Sequence, residues 1–124
     1  MVVHGKSHEI DLLFHALADA TRRDIVSRVI LEEQSVSTLA DRYDISFAAV
    51  QKHVAVLERA ALVTKERRGR EQIVHSNMNT IHGAGELLRS YEELWRQRAG
   101  RIADILAEGR ESSLGDKNSM ARKE

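Results

Sequence analysis

The sequence predicts a mainly α-helical domain that carries one small β-hairpin. Apolar residues recur with the period of an α-helix in successive segments of the chain. Proline, which breaks the hydrogen bonds of a helix interior, is absent from all 124 residues. Two short runs rich in Val, Ile and Thr flank a glycine, as in a hairpin. The length suits one domain, and with only 4% aromatic residues its core has to be aliphatic.

The first two helices are predicted from residue 7 onward. Ser7 is followed by acidic residues in the first turn, where the helix dipole favours them. The apolar side chains of this helix are Ile10, Leu13, Phe14 and Leu17. Asp19 is the predicted N-cap of the second helix, because its carboxylate can accept from unpaired N–H groups of the first turn. The predicted buried stripe of the second helix consists of Ile25, Val26, Val29 and Ile30.

Two further helices predict a helix-turn-helix. Ser35 starts a short third helix, and Ser46 caps a fourth. The segment from Tyr43 to Ile45 is long enough only for a turn. In a helix-turn-helix the second helix is the one that can enter a major groove of DNA. The inward side chains are predicted to be Val36, Leu39, Ala40 and Tyr43 in the third helix, and Val50, Val54 and Leu57 in the fourth.

A hairpin and a long helix complete the predicted domain. The strands are Leu62–Arg67 and Glu71–Ser76, and Gly69 between them can supply the positive φ of a tight turn. A last helix from about Asn79 to Glu108 would be about 45 Å long. A domain of this size does not need so long a helix, so a partner chain is expected to cover its apolar side. The prediction is a flexible N-terminus at 1–6, one domain at 7–109 and a disordered tail at 110–124.

Five segments of the sequence resemble the ArsR family of bacterial winged helix-turn-helix repressors. They are residues 14–25 (FHALADATRRDI), 35–40 (SVSTLA), 45–57 (ISFAAVQKHVAVL), 60–63 (AALV) and 67–70 (RRGR). The resemblance spans residues 9 to 108 and implies a homodimer that binds operator DNA and usually releases it when a metal or other effector binds. In the family, proline is usual in place of Ala20 and glycine is frequent in place of Ala61. Each exchange is expected to cost about 1 kcal/mol or less.

Candidate DNA contacts lie on the fourth helix and at the hairpin tip. Gln51 can pair bidentately with adenine, and Lys52 can donate to guanine. Phe47 is interpreted as either a packing plug or a base-stacking contact, with the plug favoured, and His53 as a structural or phosphate-contacting histidine rather than a metal ligand. The hairpin arginines suit phosphate or minor-groove contact. The full set is Ser46, Phe47, Ala48, Ala49, Gln51, Lys52, His53, Arg67, Arg68 and Arg70.

Two other groups of residues have alternative interpretations. Arg22 and Arg23 could contact a DNA phosphate or form ion pairs with Asp19 or Asp24. Trp95 resembles the tryptophan that one subgroup of the family carries in its last helix, where its expected role is dimer packing. The residues predicted to form the dimer interface are Leu13, Leu87, Leu88, Tyr91, Leu94, Trp95, Ile102 and Ile105.

No metal or cofactor is predicted. The absence of cysteine excludes disulfides and thiolate metal sites. Family members place metal ligands in a cysteine-containing pair at the start of the third helix, or as Asp and His along the last helix. Here the first region has no thiol and the second has no histidine. His4 and His8 are four residues apart, but a frayed end is a poor metal site. The effector is unknown, and six histidines leave a pH response open.

Charge leaves a second function class open. The net charge is zero, although residues 44–76 carry six basic against four acidic side chains. The main hypothesis is a cytoplasmic homodimeric repressor that binds an inverted repeat in double-stranded DNA. The alternative is a winged-helix dimer that acts through a protein partner. An enzyme is not expected, since glycine-rich phosphate loops and nucleophile motifs are absent, and neither is a membrane protein, since no apolar run approaches about 20 residues.

Overall fold

The computed structural model describes the backbone of residues 2–123 and the side chains of residues 7–110. Its elements are α1 (Val2–Leu17), α2 (Ala20–Leu31), β1 (Gln34–Ser35), α3 (Val36–Arg42), α4 (Phe47–Arg59), β2 (Val63–Arg68), β3 (Glu71–Ser76) and α5 (Met78–Lys123). The predicted flexible N-terminus at 1–6 and, apart from Arg110, the predicted disordered tail at 110–124 fall on residues whose side chains are outside that description. Both stay predictions.

The chain divides into two compact units, Met1–Gly85 and Glu86–Glu124. In the first unit, α1 to α4 and a small sheet enclose an aliphatic core, as the low aromatic content requires. Of the side chains predicted to point inward from α3 and α4, Val36, Leu39, Val50, Val54 and Leu57 are at most 1% exposed. Ala40 and Tyr43 are partly buried against the same core. In the second unit, every side chain from residue 88 to 110 is exposed.

The predicted caps of three helices are confirmed. In each case the cap residue is extended, and its side-chain oxygen accepts from the N–H group three residues later, which satisfies one unpaired donor of the first turn. The donor–acceptor pairs are Arg22 N to Asp19 Oδ2 at 3.0 Å, Thr38 N to Ser35 Oγ at 3.0 Å, and Ala49 N to Ser46 Oγ at 3.1 Å. Helices α2, α3 and α4 therefore begin where the sequence predicts.

One expectation about the core was wrong in detail, and α1 buries only part of its apolar face. Ile30, predicted to be buried, is 44% exposed in the last turn of α2, where only Ile25, Val26 and Val29 face the core. On α1 the buried side chains are Leu13 and Ala16, whereas Ile10 and Phe14 remain more than a third exposed. Each of these two helices therefore buries a narrower stripe of side chains than its apolar pattern suggested, because the surrounding core is small.

The sheet has three strands rather than the two predicted. Its order is β1-β3-β2, with all pairs antiparallel. Gln34 pairs with Val74 and Ser35 with Ile73. A two-residue strand is too short to show an alternating pattern, so only its pairing with β3 defines it. The strands β2 and β3 form the wing, joined by the two-residue turn Gly69-Arg70. Gly69 has φ of 65°, the positive value that the first position of a type II′ hairpin turn requires.

The C-terminus of α4 contains a strained residue. Ala61 N donates to the Glu58 carbonyl at 2.9 Å, and Leu62 N donates to the Leu57 carbonyl at 3.0 Å. This pair of bonds is the Schellman motif, and the buried side chains of Leu57 and Leu62 supply its apolar contact. The residue before the last one of this motif adopts the left-handed region. Here that residue is Ala61, which has φ of 58°. A side chain with a Cβ atom is disfavoured there.

Ala61→Gly should stabilise the protein. Glycine adopts this φ without the steric cost of a Cβ atom, so we expect the free energy of unfolding to rise by about 1 kcal/mol. Urea titration measures the change. The matched control is Ala55→Gly at an exposed position within α4, where the same substitution should cost about 1 kcal/mol. Equal destabilisation by both substitutions would contradict a strained Ala61.

A polar cluster joins α2 to the end of α3. The Asp24 carboxylate accepts from Arg28 Nε at 2.8 Å and from the Tyr43 hydroxyl. The Arg28 guanidinium also lies 5.8 Å from the centre of the Tyr43 ring. The hydrogen bonds from Tyr43 and Arg28 hold the pKa of Asp24 below its usual value. Burial raises the pKa of Tyr43, and its bond to Asp24 raises it further. The cluster fixes the start of the turn between α3 and α4.

Asp24→Asn should weaken the acid dependence of stability. A carboxyl whose pKa is lower in the folded state stabilises it above the unfolded-state pKa of about 3.9, and this stabilisation disappears as the pH falls through the folded-state value. The free energy of unfolding should therefore fall more steeply below about pH 4 in the wild type than in Asp24→Asn. Urea titrations across that range measure both slopes. Asp41→Asn, at an exposed position of α3, is the control, and an unchanged slope in Asp24→Asn would refute the role of this cluster.

Candidate nucleic-acid interface

The exposed side of α4 carries four residues in one stripe. Ala48, Lys52, Ala55 and Arg59 recur at spacings of four, three and four, and all are exposed. The buried positions Val50, Val54 and Leu57 fix which side of the helix faces outward. Arg59 was missed among the predicted contacts, although its spacing of seven from Lys52 marks the same side of the helix. The stripe presents two cations and small apolar side chains.

Phe47 is not a packing plug, as had been favoured. Its side chain is 48% exposed in the first turn of α4. Ser46 just before it caps the helix, while Ala49 and Gln51 are partly buried along one edge of the exposed stripe. The first turn of α4 thus presents an aromatic ring and a small side chain, Ala48, toward solvent. Both can make apolar contacts with bases.

His53 is partly buried against the start of α2. Its Nδ1 lies 3.5 Å from Arg22 Nη1 and 3.9 Å from Asp19 Oδ2. The hydrogen bond from the Arg22 backbone N–H lowers the pKa of Asp19, which keeps that carboxylate charged. These contacts favour the structural interpretation of His53 and join the middle of α4 to the cap of α2.

The side chains of Arg22 and Arg23 donate to backbone carbonyls instead of forming ion pairs with Asp19 or Asp24. A phosphate contact by either arginine stays a prediction. Arg22 Nε donates to the Ala16 carbonyl at 2.7 Å, and Arg22 Nη2 donates to the His15 carbonyl at 3.1 Å. Arg23 Nη1 donates to the Leu17 carbonyl at 2.8 Å. The last carbonyls of a helix lack partners within the helix, and cations stabilise its negative end. The two arginines therefore cap the C-terminus of α1.

The three arginines of the wing differ in their surroundings. Arg67 and Arg70 have no carboxylate partner among the described residues, and Arg67 only donates to the carbonyl of Gly69 at 3.4 Å. Arg68 is paired with Glu33 and Glu66. The Arg68 guanidinium lowers the pKa of Glu33, and the hydrogen bond with His75 lowers that of Glu66. Two cations at the wing are thus free to bind an anion.

Known proteins resemble this chain in sequence. A family model described as a helix-turn-helix domain matches residues 17–66. The HTH-type transcriptional regulator YuzN of Bacillus subtilis (strain 168) is 38% identical over an alignment of 76 residues, and the match covers 54% of this chain and 80% of YuzN. The transcriptional repressor SdpR of the same organism is 26% identical over 68 residues, which are 55% of this chain and 73% of SdpR.

The fold matches as well. An ArsR-like transcriptional regulator from Rhodococcus sp. RHA1 is 30% identical, with a TM-score of 0.71 over 82% of this chain and 95% of that one. The chain belongs to the ArsR family of transcriptional regulators. Membership confirms the predicted winged helix-turn-helix class and the predicted function class, a DNA-binding transcriptional regulator. The likeness to the subgroup with a tryptophan in the last helix stays a prediction.

Where members of the ArsR family carry cysteine metal ligands at the start of the third helix, this regulator has a serine. At the start of α3, Ser35 is a buried helix cap that bonds to Thr38. Within the part of the chain that the structure describes, no group of three or more His, Cys, Asp or Glu side chains could hold a metal ion. His8 is exposed, and His4 lies outside the described side chains. Nor does any helix among the described residues have the length and hydropathy for a membrane span.

The residues predicted to form the dimer interface of this ArsR-family protein lie in three different environments. Leu13 belongs to the core of its own chain. Leu87 is partly buried, and the six remaining side chains on α5 are exposed: Leu88, Tyr91, Leu94, Trp95, Ile102 and Ile105. Trp95 is 65% exposed, which is unusual for so large an apolar group. Among the described side chains of α1, the exposed large apolar ones are Ile10 and Phe14.

Proposed function

We propose that this ArsR-family regulator is a repressor, not an enzyme, and that it binds an inverted repeat in DNA as a homodimer. The observation that carries the proposal is the exposed stripe of α4, the second helix of the helix-turn-helix, which presents Lys52 and Arg59 beside small side chains. In a winged helix-turn-helix this helix is the one that enters the major groove. Occlusion of a promoter by the bound dimer then prevents transcription.

Each part of the interface has a distinct role in this proposal. Gln51 pairs with adenine and Lys52 donates to guanine, since their side chains match the edges of those bases. Ala48, Ala49 and Phe47 make apolar contacts, which suit a thymine methyl group. Ser46 and His53 orient α4 and lie near the backbone of the DNA. Arg67 and Arg70 bind phosphates from the wing.

The dimer is proposed from the exposed apolar side chains of α5. Leu88, Trp95 and Ile102 repeat every seven residues, and Tyr91 and Ile105 lie three residues after the first and last of them. This spacing forms a seam along one side of the helix, interrupted at Arg98, of the kind that packs against a second helix. With two copies joined in this way, the two α4 helices would occupy successive major grooves, about 34 Å apart.

Selection from a randomised DNA pool with the full-length protein tests the proposal. We expect an inverted repeat to be enriched and its affinity to fall steeply with salt, since each neutralised phosphate releases counterions. Gln51→Ala and Lys52→Ala should each cost about 1–3 kcal/mol and relax the preference for a single base pair. Arg101→Ala, which removes a charge from an exposed position of α5, should leave the sequence preference unchanged.

Failure of the selection has a clear meaning. If no sequence is enriched and binding stays weak at low salt, the DNA interface is refuted. A protein partner would then be the remaining function, as the zero net charge first suggested. If an inverted repeat is enriched but Gln51→Ala and Lys52→Ala retain its full preference, the assignment of base contacts on α4 is wrong.

A further inference from the structure

The Arg68 guanidinium is held between two carboxylates. Arg68 Nη1 lies 2.7 Å from Glu33 Oε1, and Arg68 Nη2 lies 3.2 Å from Glu66 Oε2. His75 completes the cluster: its Nε2 lies 2.7 Å from Glu66 Oε2 and its Nδ1 lies 3.3 Å from Glu33 Oε2. Each carboxylate therefore contacts both Arg68 and His75. We name these four residues the wing cluster.

The strand register explains why these four residues meet. Glu66 and Arg68 are two residues apart on β2, so they lie on the same side of the sheet. His75 pairs with Thr64 on β2 and shares that side. Glu33 directly precedes β1, the strand that pairs with β3. The wing cluster thus joins β2 and β3 to the segment between α2 and β1.

In this arrangement the positive charge of Arg68 is already offset by ion pairs within the protein. Two carboxylates surround one guanidinium, so the sum of their charges is negative before His75 is counted. A DNA phosphate at this position would meet both acids. Arg67 and Arg70, by contrast, face no carboxylate among the described residues. Arg70 occupies the two-residue turn itself, and Arg67 is the strand residue next to Arg68, directed to the opposite side of the sheet.

We infer that Arg68 is a positioning residue, which with Glu33 and Glu66 fixes the wing on the sheet, and that Arg67 and Arg70 alone supply the wing's phosphate contacts. This inference rests on the proposed DNA-binding function. It changes the role first predicted for Arg68, from a contact with DNA to a contact with the protein. It also predicts that the three neighbouring arginines differ in a measurable quantity, their effect on the salt dependence of operator binding.

The test compares the salt dependence of operator binding among single variants of the full-length protein. Arg67→Gln and Arg70→Gln should each lower the slope of log K against log salt by about 0.9, the value for one phosphate contact. Arg68→Gln should keep the wild-type slope and weaken binding about threefold, in keeping with a partly exposed ion pair. A slope lowered by about 0.9 in Arg68→Gln would overturn the inference.

Two further variants separate charge from geometry. Arg68→Lys keeps the positive charge but cannot bridge two carboxylates as a guanidinium does, so it should weaken binding as much as Arg68→Gln. Glu33→Gln should also weaken binding, although it removes a negative charge near the DNA. Wild-type affinity in Arg68→Lys, or tighter binding in Glu33→Gln, would mean that Arg68 acts through its charge on DNA and would refute the positioning role.

Hydrogen exchange distinguishes failure of this inference from failure of the proposed function. If the wild type does not bind DNA in a salt-dependent way, the proposed function fails and the phosphate contacts of Arg67 and Arg70 fail with it. The positioning role is then decided by amide exchange of β2 and β3 without DNA. Arg68→Gln and Glu33→Gln should each speed exchange about threefold, and the double variant no more than either one. Additive or absent effects would refute the wing cluster.

Discussion

Replacing both Leu88 and Trp95 by glutamate is expected to convert the protein into a monomer and to weaken operator binding at least ~100-fold, equivalent to about 2.7 kcal/mol. The two residues are seven positions apart on α5, and Trp95 is 65% exposed in the single chain. Tryptophan truncations at the centre of an interface often cost 2 kcal/mol or more by themselves. Two carboxylates placed opposite two others in a homodimer add repulsion to that loss.

Sedimentation velocity measures the oligomeric state, and fluorescence anisotropy with labelled operator measures the affinity. Gln97→Glu is the matched control, since it adds the same charge two residues from Trp95, on the opposite side of the helix. It should leave the dimer intact. If the double variant remains dimeric, the exposed apolar side chains of α5 do not form the interface. The exposed Ile10 and Phe14 of α1 would then be the residues to substitute next.

Arg22→Ala is expected to have the second largest effect and to lower the free energy of unfolding by about 2–3 kcal/mol. The side chain donates to two carbonyls at the end of α1 and lies against His53 of α4. Hydrogen bonds from charged donors contribute about 1.5–3 kcal/mol each, and the partial burial of Arg22 limits their replacement by water. Its loss leaves carbonyl groups of α1 without these donors and loosens α4.

Urea titration monitored by Trp95 fluorescence and circular dichroism measures this change. Arg23→Ala is the control, because Arg23 donates one bond in an exposed position, and it should cost about 1 kcal/mol or less. Arg22→Lys should recover only a minor part of the loss, since an ammonium group cannot donate to two carbonyls in the fixed geometry of a guanidinium. If Arg22→Ala and Arg23→Ala lower the free energy of unfolding by similar amounts, the contacts of Arg22 contribute no more than the single hydrogen bond of Arg23.

Local sequence signals predicted most of the fold. Side chains such as Asp19, Ser35 and Ser46 cap helices through atoms only three residues away, so the caps are visible in the sequence itself. The spacing of Val50, Val54 and Leu57 likewise identified the buried side of α4, and hence the exposed side with Lys52. These features depend on contacts within one helix.

Features that depend on distant residues could not be predicted in the same way. The strand β1 exists only through its pairing with β3, about forty residues later. Arg68 has the same sequence character as Arg67 and Arg70, and what distinguishes it is Glu33, which lies 35 residues earlier. Phe47 was favoured as a packing plug because it is large and apolar, but its side chain is 48% exposed. In these cases tertiary contacts, not local pattern, decide the role.

The shortness of α3 limits how this helix-turn-helix can be used outside its own protein. With seven residues, α3 is below the length at which an isolated helix is stable in water. Its ends depend on Ser35, which is fixed by pairing with β3, and on Tyr43, which is held by Asp24 of α2. A synthetic peptide of residues 35–60 therefore contains the helix-turn-helix sequence without the parts that order it. We expect such a peptide to be largely unfolded, so grafting this recognition unit into another protein requires α2 and the sheet as well.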